Sequence, residues 1–374
     1  MRVDDPKLKE QNLLLARIDP QKLLKGKAPR LLDEWQLAPT LWDAVRYEVD
    51  QRGKTGQFIL TGSAVPADTS LISHSGTGRF SWMTMRPMSL FESGESTGEV
   101  SLGSLFAGNP EVDGENHLEL GDISFILCRG GWPAALDLPD DAALYQAVDY
   151  YDGVVNSDIN RADGIEKNPE RVKMLMRSYA RNMGSQASNL TIARDISCDD
   201  ETVKIYINAL KRIFVVEEAA AWNPNLRSKT AVRTSATRYF ADPSIAAASL
   251  GAGPDDLIND LRTFGLFFET MCIRDLRVYA DSLGGSLYHY RDNTNLECDA
   301  VIHLRNGSYA LIEIKLGGDE LINSGSSNLQ KLKNRIDTAK MKEPSFLMVL
   351  TAVGRYAYRR PDGVLVVPVG CLKN

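Results

Sequence analysis

Asp299 and the triplet Glu313-Ile314-Lys315 stand on either side of a turn signal, Arg305-Asn306-Gly307, between two apolar runs, ECDAVIHL and SYALIEIKL. Read as strands joined by a three-residue loop, Leu304 opposes Ser308. Cys298, Ala300, Ile302 and Leu304 then share one apolar face with Ala310, Ile312, Ile314 and Leu316. The other face carries Glu297 opposite Lys315 and Asp299 opposite Glu313. A two-residue loop would set an apolar face against a charged one, which the period-2 rule disfavours. Like charges at Asp299 and Glu313 are costly unless a metal or Lys315 compensates them, which favours a site. A Glu–Lys cross-strand pair on an ordinary surface is the alternative, worth roughly 0.2–1 kcal/mol.

A second group of polar residues stands near the start of the chain. PRLLDEWQ reads as a short buried strand, Leu31 and Leu32, ending in Asp33 and Glu34, and FILTGSA at 58–64 as a second strand with Thr61 and Ser63 at its end. An apolar strand ending in Asp-Glu suits nucleotide hydrolysis. The Asp would hold magnesium, the Glu would polarise the attacking water, and Thr61 or Ser63 would sense the γ-phosphate.

The elements that must position these groups follow from periodicity. LAPTLWDAVRYEVDQ has helical spacing at Leu41, Val45 and Val49. Strand, helix, strand predicts a parallel sheet with its ligands at the strand carboxyl ends. In the last third a long helix, DLRTFGLFFETMCIRDLRVYA, carries Glu269 in an apolar run. The strands GSLYHYRD, ECDAVIHL and SYALIEIKL follow, then a helix containing SNLQKLKNRI and Gln330.

Asp299 with Glu313-Ile314-Lys315 resembles the PD-(D/E)xK nuclease pattern. The resemblance implies that Asp299 and Glu313 hold magnesium with a backbone carbonyl, while Lys315 positions or activates water. It implies a further acid in Glu269 and a polar residue in Gln330.

DEWQLAPTLWDAVR, FILTGSAVP, HSGTGRF and MRPMSLFESGES, in this order, resemble prokaryotic AAA+-type ATPases that carry a C-terminal domain of unknown function. That resemblance implies ATP and magnesium as family cofactors, Asp33 as a magnesium ligand, and Arg79 near a nucleotide phosphate or a neighbouring subunit, with Arg86 following it. A strand cap or a surface ion pair is the ordinary alternative for both arginines. The sequence holds no G-x-x-x-x-G-K-[ST] phosphate loop. Its Gly53-Lys54-Thr55 follows a helix and precedes a strand, the wrong polarity, and reads as a turn. By the resemblance the chain is expected to lack roughly one βα unit of ~30 residues at its start, and to hydrolyse no ATP on its own.

The middle reads as a winged helix-turn-helix. Leu190–Ile196, the turn 197–200 with Asp199 or Asp200 as cap, and ETVKIYINALKRIF form the helix pair, with Val203, Ile207, Leu210 and Phe214 buried. VVEEAAAW and TRYFADP are the strands of the wing. Lys204, Lys211 and Arg212 on the helix, with Arg227, Lys229 and Arg233 on the loop, are the candidate nucleic-acid contacts, for DNA before RNA. A spacer or protein-binding module is the alternative.

Charge agrees with a local rather than a general basic surface. The 374 residues carry a net charge of −6, yet residues 109–165 hold a net of −10 and residues 167–240 a net of +6. The two segments could equally attract each other. Five cysteines, odd in number and scattered, and four histidines at no metal-ligand spacing argue against disulfides and structural zinc. No run approaches the ~18 apolar residues of a membrane span, and the opening MRVDDPKLKEQ has neither an apolar stretch nor a small-residue cleavage site, so the expectation is a cytoplasmic protein with no membrane partner, able to form homo-oligomers.

The expected organisation is α/β throughout. It comprises an incomplete P-loop (AAA+-like) parallel-sheet domain at 1–108, an acidic helical connector at 109–165, a winged-helix middle domain at 166–250, and a restriction-endonuclease-like α/β C-terminal domain at 255–374. The functional expectation is magnesium-dependent phosphodiester hydrolysis. Its rivals are a non-catalytic nucleic-acid- or protein-binding regulator and a truncated or degenerate ATPase product.

Overall fold

The computed structural model describes residues 1–66, 70, 72–109, 112–224 and 234–374. The chain is mixed α/β. It divides into two units, Met1–Met85 with Val154–Pro169 and Ile205–Phe214, and Arg86–Gly153 with Glu170–Lys204 and Val215–Asn374.

In the first unit, strands β1 (Arg30–Asp33) and β2 (Phe58–Thr61) pair in parallel, Asp33 beside Thr61. The helix Thr40–Arg52 connects them, as its apolar spacing predicts. Gly53 ends that helix at φ 58, and its N–H returns to the Val49 carbonyl, so Gly53-Lys54-Thr55 is a helix-ending turn. Residues 1–3 run along the other side of β1: Val3 N–H donates to the Asp33 carbonyl and Asp33 N–H to the Met1 carbonyl. Val3, Leu32, Leu41 and Val45 form the core. Leu31, expected inside with Leu32, is 44% exposed. Successive residues of a strand point to opposite faces, so only one of the pair can face this core.

The second unit is built on β3 (Val100–Ser101), β4 (Gly114–Glu115), β5 (Val216–Ala221), β6 (Thr237–Phe240), β7 (Gly285–Arg291), β8 (Glu297–Leu304), β9 (Tyr309–Lys315), β10 (Phe346–Thr351), β11 (Tyr356–Arg359), β12 (Leu365–Pro368) and β13 (Leu372–Lys373). Among the described residues β3 and β13 pair by themselves, and the others form one mixed sheet in the order β4-β11-β12-β10-β9-β8-β7-β5-β6. The boundary expected at 250–255 therefore falls inside a continuous sheet. Parallel pairing of Ala220 with Tyr288 and Ala221 with His289 joins β5 to β7, a long-range contact that local pattern does not encode.

The helix-turn-helix order is present. Asp199 caps the second helix, Asp200–Arg212, accepting from Thr202 N–H at 2.8 Å and its hydroxyl at 2.7 Å. Val203, Ile207 and Leu210 are buried, but Phe214 is 43% exposed. It lies beyond the helix end with φ 58, where helical spacing no longer sets its direction.

The helix Leu261–Ser282 packs on β7, β8 and β9, and the helix Asp319–Arg335 packs on β8, β9 and β10. The first is anchored by Arg274, fully buried between Asp242 at 2.7 Å and Asp275 at 2.8 Å. Asp242 also accepts from Gly131 N–H and caps the helix Pro243–Leu250. This network sets the position of the helix that carries Glu269, and it satisfies three charges that burial would otherwise penalise heavily.

Candidate functional site

The β8–β9 hairpin has the expected register, Ala300 opposite Ile312 and Ile302 opposite Ala310, with Leu304 N–H bonded to the Ser308 carbonyl. The expected alternation fails beyond Ala300. Tyr288 faces Val301 and Tyr290 faces Cys298, so His289 alone opposes both Asp299 and Ala300. This is a β-bulge, and it re-aims the residues before it. Cys298, expected to lie with Ala300 and Ile302, packs instead with Val301, Leu311 and Leu329.

The bulge frees Asp299 to act in place of a ladder residue. Its Oδ2 accepts the Ile314 N–H at 2.7 Å and lies 3.2 Å from Lys315 Nζ. Lys315 Nζ also lies 2.6 Å from Glu313 Oε2. Glu297, expected opposite Lys315, pairs with Arg291 at 3.1 Å. Glu313 is 2% exposed, and burial together with the charge of Asp299 pushes its carboxyl up to about 8. Burial opposes the charge on Lys315, but Asp299 and Glu313 outweigh it and raise the ammonium pKa above its ordinary value.

Glu269 is brought to the same group. Burial and then Asp299 push its carboxyl up to about 8, with Lys315 opposing and Glu313 adding to the effect. Tyr239, whose OH donates to Glu269 Oε1 at 2.7 Å, was missed by sequence reasoning. Its strand belongs by local pattern to the helix-turn-helix segment, and only the β5–β7 pairing delivers it here. Gly184 was also missed. At φ +64, it is a position where a Cβ would come 3.1 Å from both Glu269 carboxylate oxygens.

Glu269, Tyr239, Asp299, Gly184, Gln186 and His289 help line a cleft of about 310 Å³, open mouth included. Gln186 Nε2 and His289 Nδ1 are 3.3 Å apart, and His289 Nε2 lies 3.1 Å from the Ser235 carbonyl. A carbonyl only accepts, so Nε2 carries the proton and Nδ1 accepts from Gln186.

Gln330 is not brought to this group. Its amide donates to the Asp362 carbonyl at 2.9 Å, tying the helix to the turn before β12. Gly325 is the residue of that helix that faces Glu313 and Lys315, and five residues of helix turn Gln330 well away from that face.

The oxygen donors of Asp299 and Glu313 are of the type magnesium prefers. Among the described residues no group of three or more His, Cys, Asp or Glu side chains is arranged to hold a metal ion. Lys315 itself supplies the positive charge between the two carboxylates.

In the first unit Thr61 Oγ1 donates to Asp33 Oδ1 at 2.7 Å, and Gln36 Nε2 donates to Glu34 Oε2 at 2.7 Å and lies 3.4 Å from Ser63 Oγ. Asp33, Glu34, Thr61 and Ser63 thus gather at the strand carboxyl ends. Arg79 does not join them: it pairs with Asp50 at 2.9 Å, near the opposite end of the helix that follows Glu34. Arg86 binds Glu217 at 2.7 Å and also Asp281.

Of the candidate nucleic-acid contacts, Lys204 pairs with Glu201 at 3.4 Å and Arg212 donates to the Pro66 carbonyl at 2.6 Å, while Lys211 is half-buried. Arg227, Lys229 and Arg233 lie outside the described residues. Among the described residues no helix is long and apolar enough to cross a membrane.

Comparison with known proteins finds three matching families along the chain. Residues 1–93 match a family described as an AAA domain, residues 120–256 a domain of unknown function (DUF8612), and residues 264–372 another domain of unknown function (DUF4143). Two uncharacterized proteins, of Mycobacterium bovis and Mycobacterium tuberculosis, are each 22% identical over 303 residues, 79% of this chain. The match covers 61% of their own length, so the chain spans less than two thirds of these relatives. No solved structure matches. The matched domains support an AAA-type ATPase family with a C-terminal domain of unknown function.

Proposed function

We propose that the C-terminal centre hydrolyses phosphodiesters of nucleic acid with a divalent metal. The observation that carries this reading is the convergence of Asp299, Glu313 and Lys315 at the bulged end of the β8–β9 hairpin, with Glu269 beside them. Asp299 and Glu313 would hold magnesium, which would stabilise negative charge on the phosphodiester. Lys315, released from its carboxylate partners as the metal takes them, would orient the attacking water. Glu269 would assist, and its Tyr239 hydrogen bond keeps it directed at the centre.

The helix-turn-helix segment is the proposed DNA-binding element. Asp33, Glu34, Thr61 and Ser63 are the residues of a family-type ATP and magnesium site. Without a glycine-rich phosphate loop among these 374 residues, that site lacks the backbone donors that hold the phosphates.

The test is cleavage of labelled single- and double-stranded DNA and RNA with magnesium or manganese, comparing the chain with Asp299→Ala and Lys315→Ala. Cleavage lost in both variants is the expected result. No cleavage by folded protein would leave a second reading, a binding module whose charged cluster only stabilises the hairpin. That reading is favoured by the lysine, which neutralises Asp299 and Glu313 without a metal.

A further inference from the structure

The helix Pro169–Arg181 buries Val172, Leu175, Met176 and Tyr179 and turns a basic ridge outward. Lys173, Arg177 and Arg181 follow one another at four-residue spacing, with Arg177 and Arg181 exposed. Lys173 is paired with Glu170 at 3.1 Å. Arg177 and Arg181 have no acid at ion-pair distance among the described residues. Like charges at this spacing repel across a helix surface, so the ridge carries a cost that an external anion would remove.

The ridge ends at the cleft. Three residues after Arg181, Gly184 N–H donates to the Arg238 carbonyl, and Arg238 N–H donates to the Ser185 carbonyl. These bonds hold the segment after the helix along β6, beside Tyr239 and its partner Glu269. Gly184 and Gln186 line the cleft, and so does Arg291, 40% exposed at the side chain. Cations thus stand on the approach and, as Arg291 paired with the half-exposed Glu297, on the rim, while Glu269 and Asp299 lie inside.

We propose that this ridge and rim are a track for a single nucleic-acid strand, with Arg177 and Arg181 holding phosphates on one side of the carboxylate centre and Arg291 on the other. The proposal rests on the reading of that centre as one that meets a phosphodiester. Phosphate charge supplies the affinity. Glu269 and Asp299 line the cleft without being exposed, so a single strand that can bend and splay reaches them where a stiff duplex does not.

The experiment is fluorescence anisotropy of the full chain with a labelled 20-nucleotide oligothymidylate and with a duplex of equal length, in EDTA, across a salt series. The variant is Arg177→Ala/Arg181→Ala/Arg291→Ala, whose exposed positions leave the core intact, and its thermal midpoint is measured alongside. The expected result is tighter binding of the single strand than of the duplex. The variant should bind the single strand at least tenfold more weakly, with a salt slope reduced by about two. Binding within twofold of the parent, preference for duplex, or no binding of either by the parent would overturn the proposal. A cleavage assay with magnesium separates the two readings. Arginine-dependent binding without cleavage leaves the track and removes the hydrolysis. Asp299-dependent cleavage in a variant that binds as the parent does removes the track alone.

Discussion

Lys315 Nζ lies 2.6 Å from Oε2 of Glu313, two residues earlier on the same strand, and that contact is made where Glu313 is almost wholly buried. The lysine opposes the burial and the Asp299 charge that together push this carboxyl up to about 8. Removing it takes the partner from Asp299 and from the buried Glu313 at once, rather than merely losing a surface pair. Lys315→Ala is therefore expected to cost about 3 kcal/mol in urea unfolding, with Glu313→Gln in the same background recovering part of the loss. A cost within the range of exposed pairs, about 0–1 kcal/mol, would contradict this assignment.

Glu269 gives the centre a pH signature. Its carboxyl is pushed up to about 8 by burial and by Asp299, whereas in the unfolded chain it titrates near 4.3. Between these values the native state keeps a proton that the unfolded state releases. Stability is thus fully present below about pH 4 and falls as pH rises toward 8, by up to about 1.4 kcal/mol per unit for one proton. Glu269→Gln should flatten the fall in thermal midpoint between pH 5 and 8, leaving the share that belongs to Glu313, which is raised likewise. An unchanged slope would show that Glu269 is charged in the native state.

Gly184 is expected to resist substitution. Any side chain there must adopt φ +64, at about 1–2 kcal/mol, and its Cβ would press on the Glu269 carboxylate. Gly184→Ala should lower stability by about that amount, measured by denaturant midpoint, and weaken single-strand binding by narrowing the cleft. Full retention of both would mean that the wall yields.

The first unit is expected to turn over no ATP with magnesium, since the sequence offers no phosphate loop, and Glu34→Gln should leave phosphate release at background. Turnover that Glu34→Gln abolishes would show that phosphate contacts come from elsewhere in the chain.

The β8–β9 register was legible because period-2 alternation and the Arg-Asn-Gly turn both specify it, and a slip by one residue would turn a whole apolar face outward. The strand-helix-strand unit around Asp33 and Thr61 and the Asp199 cap were legible for the same kind of reason, local pattern with a strong penalty for error. The bulge at Asp299 and Ala300 was not, since an extra residue in one strand leaves no mark in alternation until its partner strand is known. Gln330 and Arg79 have suitable chemistry in their segments, but helix phase turns the first toward Asp362 and an acid at the helix end holds the second. The tertiary structure alone decided that the expected middle and C-terminal domains share a sheet, because β5 meets β7 across more than sixty residues of sequence. That long-range pairing is what places Tyr239 on Glu269, and no local propensity contains it.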